Sequence, residues 1–229
     1  MHQELTQSGL GQGIYSVADA ARYTGIPGAR IRRWSCGYQF GGSDGPSASR
    51  PVIRRDHDSD PANPQLSFLD LIEVRVVDAF LRLGVSWPEV RRASAVAVEM
   101  LKTPHPFSTF HFRTDGRSIF ARISNQVGEG MLQLAKRQHV FKEIIEPTLR
   151  DLEFSGEELL RWWPMGQRRR VVIDPARSFG RPVGSLSGVP TEILAAYAAT
   201  TSCSDAAKWF EVEVSEVRHA LQYERRAAA

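Results

Sequence analysis

Arg30, Arg32 and Arg33 carry the clearest chemistry in this sequence. On a helix, positions 30 and 33 share one face and 32 lies beside it, so three guanidinium groups can meet a groove wall together. Arg reads guanine O6 and N7 bidentately and also clamps phosphates, which suits such a helix to the DNA major groove. Arg50, Arg54 and Arg55 lie in the run RPVIRR and would reach backbone phosphates from one strand of a wing. The expected DNA-binding set is Ser16, Arg30, Arg32, Arg33, Arg54 and Arg55. A solvated basic face on a structural helix pair is the competing explanation.

No other constellation assembles a reaction centre. His57, His105, His111 and Cys36 show no nucleophile–base spacing, and neither a G-x-x-x-x-G-K-[ST] nor a G-x-G-x-x-G phosphate cradle is present. Asp56, Asp58 and Asp60 alternate like calcium ligands, but the Gly at the sixth and Glu at the twelfth loop position are missing, so they read as loop acids. Cys36 and Cys203 are too few for a disulfide framework or a Cys-rich metal site. No catalytic residue, metal or cofactor is therefore expected.

The arginines need a scaffold, and the sequence supplies its signals. Ser16-x-x-Asp19 is a capping box that starts a helix at Val17, and Gly25 suits its C-terminal cap. Pro27 falls in the first turn of a second helix whose inward face is Ile31 and Trp34. Two short helices across a Gly-containing turn make a helix-turn-helix. Residues 37 to 65 are Gly-, Ser-, Asp- and Pro-rich, with Arg50 to Arg55 as a wing strand and Asp56 to Pro64 as an acidic loop. Ser67-x-x-Asp70 and Ser86-Trp87-Pro88-Glu89 then cap two longer helices. Phe107 to Arg113 and Arg117 to Ile123 alternate about Asp115-Gly116, which predicts a hairpin. A helix from about Gln138 to Leu152 follows, with Pro147 marking a kink, a break or a first turn. Leu160 to Trp163 and Arg170 to Ile173 read as strands. Pro190-Thr191, Ser204-Asp205 and Ser215-Glu216 open three short helices.

The resulting fold class is mainly α with small β-hairpins (α+β), in three parts. Residues 1–104 form a winged helix-turn-helix, 105–165 a central mixed region that connects or dimerises, and 166–229 a small helical domain with a second helix-turn-helix-like pattern.

Composition agrees with a DNA ligand only locally. The chain has 229 residues, 29 Lys plus Arg against 26 Asp plus Glu, and a net charge of +3. Residues 15 to 55 hold seven Arg against two acids, whereas the rest is nearly balanced. The basic excess is thus an N-terminal property, while the preference for Arg over Lys is most simply a genomic habit. No apolar run approaches the ~20 residues of a membrane span, and MHQELTQSG lacks a signal-peptide apolar core, so a cytoplasmic protein is expected.

Two resemblances sharpen this picture. YSVADAARYTGIPGARIRRW, followed by LSFLDLIEVRVVDAFLRLGVSWPEVRRA, resembles the N-terminal domain of MerR-type regulators, including the corner Leu83-Gly84-Val85-Ser86-Trp87-Pro88-Glu89-Val90. It departs from them later, having neither a long dimerisation coiled coil nor a Cys pair for metal sensing. The last 60 residues are similar to a small helical family known from antitoxins, matching at Asp174, Pro175, Gly180, Pro182, Gly188, Pro190, Val217, Ala220, Leu221 and Tyr223. Together the two parts resemble VapB-type antitoxins of VapBC systems.

That resemblance implies a PIN-domain ribonuclease toxin as partner and repression of its own operon. Twofold dimers read half-sites about one helical turn apart, so a homodimer and an inverted repeat in the promoter are expected. Toxin contacts would fall to Trp162, Trp163, Arg181, Arg225 and Arg226. An Arg placed in the toxin's carboxylate cluster would pair with it and displace the metal ion. For Arg225 and Arg226 a second DNA contact and a solvated helix end stay open. For the Trp pair, so does plain core packing. The alternative function is a MerR-like regulator that senses a small molecule through residues 103 to 163 and has no toxin partner.

Overall fold

The computed structural model describes residues 13–42, 45–57, 60, 62–127 and 145–228. They form two compact units, one of Ser16–Leu160 and one of Arg161–Ala229 with the segment through Tyr15. The architecture is α+β, with helices predominating and small antiparallel sheets.

The first unit opens with the expected helix pair. Helix α1 (Val17–Thr24) is closed by the reciprocal capping box, with the Asp19 amide donating to Ser16 Oγ at 3.1 Å and the Ser16 amide to Asp19 Oδ2 at 3.0 Å. Such a cap is worth about 1 kcal/mol. Helix α2 (Gly28–Cys36) follows Pro27 and buries Ile31 and Trp34.

The chain then turns at Gly37, where two requirements coincide. Its φ is +76°, and a Cβ there would stand 2.3 Å from the Ser49 carbonyl oxygen. Only glycine lets the two ends of the following hairpin meet at this point.

That hairpin is the wing, and it is not where the sequence places it. Strands Tyr38–Gly42 and Gly45–Ser49 pair antiparallel, Tyr38 opposite Ser49. The stretch Arg50–Arg55 is not a strand. Its Val52 and Ile53 amides both donate to the Trp34 carbonyl, at 2.8 and 3.1 Å, and Ile53 is buried. These amides satisfy the end of α2, so no ladder is available to them.

Helix α3 (Phe68–Arg82) starts at the Ser67–Asp70 capping box and is buried on nearly every side, as the central helix of its unit must be. Helix α4 (Trp87–Leu101) starts at the Ser86–Glu89 box. Phe80 of α3 meets Phe107 edge-on at 5.3 Å and stacks on Phe120 at 5.5 Å.

The expected hairpin about Asp115-Gly116 is instead one helix, α5 (Phe110–Val127). Its buried residues are Phe112, Gly116, Ile119, Phe120, Ile123, Ser124 and Val127, a three-to-four residue recurrence that no strand can bury on one face. The predicted helix over 138–152 lies partly outside the described residues. Its described end is a short helix, Glu146–Arg150, with Pro147 in the first turn, where its missing N–H costs nothing. Leu152 already belongs to a strand, Leu152–Ser155.

In the second unit, Val171–Ile173 pairs antiparallel with Pro182–Gly184, and Trp162 lies opposite Ile173. Asp174 makes a turn, accepting the Ala176 amide at 3.0 Å. Helices Thr191–Thr200, Cys203–Trp209 and Val214–Ala227 enclose a core of Leu194, Ala198, Ala206, Ala207, Val217 and Ala220.

Candidate nucleic-acid interface

The burial of Ile31 and Trp34 fixes the rotation of α2 and leaves Arg30, Arg32 and Arg33 exposed. Their surroundings then differentiate them. Arg30 Nη1 lies 3.9 Å from Asp78, which also pairs with Arg82 at 3.0 Å. The guanidinium of Arg33 sits 4.1 Å from the centre of the Tyr38 ring, at the root of the wing. Hydrogen bonds with Arg33 and Ser49 hold the Tyr38 hydroxyl below its ordinary pKa. Arg32 is turned aside and donates to the Ala62 carbonyl at 3.1 Å. Arg30 and Arg33 are thus exposed beside the wing, whereas Arg32 is tied to the loop beyond it.

Two further arginines join this face. Arg30, Arg33, Trp34, Leu81, Arg82 and Trp87 line an open cleft of about 460 Å³. Trp34 and Trp87 stack across it at 6.2 Å. Arg91 lies over Trp87 at 5.6 Å and donates to Ser49 Oγ at 2.6 Å, tying α4 to the wing. The sequence offered one signal for Arg82, a basic residue in the last turn of a capped helix, and none for Arg91.

Arg50 and Arg54 are exposed on the stretch after the wing, and Arg55 is half-buried. The Ser16 hydroxyl is engaged in its cap, donating to Asp19 Oδ2 at 2.6 Å.

The same unit holds a largely buried polar cluster that sequence spacing did not reveal. His105 Nε2 and Asp56 Oδ1 are 2.6 Å apart, although 49 residues separate them in the chain. On the other edge of the ring, Nδ1 stands 3.7 Å from Asp70 Oδ1. Ser67 Oγ donates to Asp56 Oδ2 at 2.6 Å, and Glu73 Oε1 accepts the Phe107 and Ser108 amides. Burial pushes the Glu73 carboxyl up to about 8 and the Asp70 carboxyl up to about 6. Burial acts against charge at Asp56 and His105 too. There the hydrogen bond between them outweighs it, holding the carboxyl below and the imidazole above their ordinary values.

In the second unit the sequence-predicted contact residues scatter. Trp162 is buried at 4% exposure, so it is not a surface group; Trp163 is half-buried. Arg181 is exposed and pairs with Glu192 at 3.1 Å. Arg225 and Arg226 are exposed in the last turn of Val214–Ala227. Large apolar side chains that sequence reasoning did not single out, Phe179 and Leu186, are also exposed.

Residues 13–94 match the family described as "Putative DNA-binding HTH domain". Over 91% of its length the chain is 28% identical to "Putative antitoxin VapB45" of Mycobacterium tuberculosis, covering 92% of that protein. The crystal structure of Rv2018 from Mycobacterium tuberculosis superposes with a TM-score of 0.71 at 27% identity, covering 90% of this chain and 96% of that one. The helix-turn-helix and the likeness to VapB-type antitoxins expected from the sequence are thus both present.

Proposed function

We propose that this relative of VapB-type antitoxins is itself a DNA-binding antitoxin, which neutralises a PIN-domain ribonuclease and represses its own operon. Similarity to a protein named as an antitoxin across nine-tenths of both chains supports the first half. A helix-turn-helix whose second helix exposes Arg30 and Arg33 beside a wing supports the second.

The observation that carries the DNA half is the shared placement of Arg30, Arg33 and Arg82 around one open cleft. Arg30 and Arg33 enter the major groove. Arg82, Arg50 and Arg54 take phosphates, and Arg55 and Ser16 border them. A homodimer would present two such helices to half-sites about one helical turn apart, so the operator is an inverted repeat.

Toxin contacts belong to the second unit, through Trp163, Arg181, Arg225 and Arg226, with Trp162 supporting them from the interior. An arginine entering the nuclease's acidic metal site would form charge-assisted bonds with its carboxylates.

Co-expression with the product of the adjacent gene, followed by a gel-shift on the upstream DNA, tests both halves. A stable complex with a small metal-dependent nuclease that loses ribonuclease activity in it, together with a specific shift, is the expected result. A chain that binds its promoter but captures no nuclease refutes the antitoxin role. One that shifts no upstream DNA at moderate salt refutes the repressor role.

A further inference from the structure

Three segments that are distant in sequence converge on the buried His105 ring. They are the stretch leaving the wing (Asp56), the first turn of α3 (Asp70) and the stretch after α4 (His105). Donor atoms of the three residues lie within 4.8 Å of one another. Asp70 is 0% and His105 4% exposed. Among the described residues, Asp70 Oδ1 and His105 Nδ1 have no hydrogen-bond partner. Two buried polar atoms left open in this way are costly unless something occupies the space between them.

Their separation indicates what that is. An imidazolium in direct contact with a carboxylate closes to about 2.7–2.9 Å, yet these atoms stand 3.7 Å apart. Nitrogen and oxygen ligands at 2.0–2.1 Å from one tetrahedral ion are separated by about 3.3–3.4 Å. The observed gap is nearer that spacing than hydrogen-bond contact. The far side of the ring agrees. When its Nε2–H is donated to Asp56 Oδ1, the Nδ1 lone pair faces Asp70, and a carboxylate behind the imidazole is how metal-bound histidines are oriented. Ser67 Oγ fixes that carboxylate in turn.

We propose that Asp70 Oδ1 and His105 Nδ1 ligate a divalent first-row transition ion of the Zn²⁺ type, with Asp56 positioning His105 and water completing the coordination. One imidazole and one carboxylate suit zinc or cobalt better than calcium, which takes six to eight oxygens, or a soft ion, which takes thiolates. The half-exposed Asp56 leaves a way in from solvent. The ion would join α3 to the stretch after α4, and through the hydrogen bond of His105 with Asp56 it would also steady the stretch that follows the wing. This site is independent of the proposed antitoxin activity.

The test uses the full-length chain stripped with EDTA and dialysed. Titration with Zn²⁺ should give one ion per chain in calorimetry. At 100-fold excess over Kd it should raise Tm by roughly 5–10 °C. Co²⁺ should give visible d–d absorption that Zn²⁺ abolishes and equal Mg²⁺ does not. D70N and H105Q should abolish uptake, while D56N should weaken it by about 10- to 100-fold. Circular dichroism in EDTA identifies which variants fold, and only those are compared. Folded wild-type chain that takes up less than a tenth of an equivalent overturns the proposal. So does equal uptake by any folded D70N or H105Q variant, or displacement of Co²⁺ by Mg²⁺.

Discussion

Three neighbouring arginines on one helix do unequal work, and their partners decide the division. Arg33 lies over the Tyr38 ring and shares a hydrogen bond with its hydroxyl at the root of the wing, Arg30 is loosely held by Asp78, and Arg32 is tied to the Ala62 carbonyl beyond the wing. Replacing Arg33 by Ala should cost about 1–3 kcal/mol of operator affinity, and relax base preference if the contact is to guanine. R32A should cost less, and fluorescence anisotropy on the promoter measures both. An equal loss for R32A and R33A would contradict this division. The type and register of these arginines were legible in the sequence, because exposure follows from where Ile31 and Trp34 must point. Their inequality was not, since Asp78 and Ala62 are brought up by other elements. A second residue-scale expectation concerns His219. Burial, then the charges of Arg169 and Arg170, hold its pKa below the ordinary 6.5. A histidine whose folded pKa lies below its unfolded value contributes stability above pH 6.5 that is lost as pH falls from there to the folded value. An NMR titration should place its midpoint below 6.5, and R169A should move it upward.

At the level of elements, capping boxes proved dependable and alternation did not. Ser16, Ser67 and Ser86 start their helices where the sequence says, because a cap is decided within four residues. Residues 107–123 satisfy a strand pattern and a helix pattern at once, and contact with α4 and the Phe80–Phe107 cluster selects the helix. Proline distinguishes the two outcomes. D115P in mid-helix should destabilise the chain by about 3 kcal/mol or more in urea unfolding, whereas a turn would accept it. Similarly, the Gly-rich run 38–49 lacks strand composition, and it pairs because Gly37 admits the returning Ser49 carbonyl. Gly37→Ala should cost about 1–3 kcal/mol and weaken operator binding with it. Unchanged stability there would show that the wing tolerates a displaced Ser49.

For the whole molecule, two compact units support a division between DNA and partner, and separate cores permit an independent test. Leu194→Ala in the second core should cost about 2–5 kcal/mol there, abolishing nuclease capture while the gel-shift of upstream DNA persists. Loss of both would mean that the units do not act separately. Sequence alone determined what local chemistry decides: the capping boxes of α1, α3 and α4, the basic surface of α2 and the presence of three C-terminal helices, two of which have their N-caps at Ser202 and Glu213 rather than at Ser204 and Ser215. Only the tertiary structure decided which of two periodicities residues 107–123 obey, where the wing lies, and which further arginines border the cleft. It alone brought Asp56, Asp70, Glu73 and His105 together. The physical reason is range. A cap or an amphipathic stripe is a contest among neighbours in the chain, whereas a buried ring between two carboxylates exists only when three separate segments have already packed.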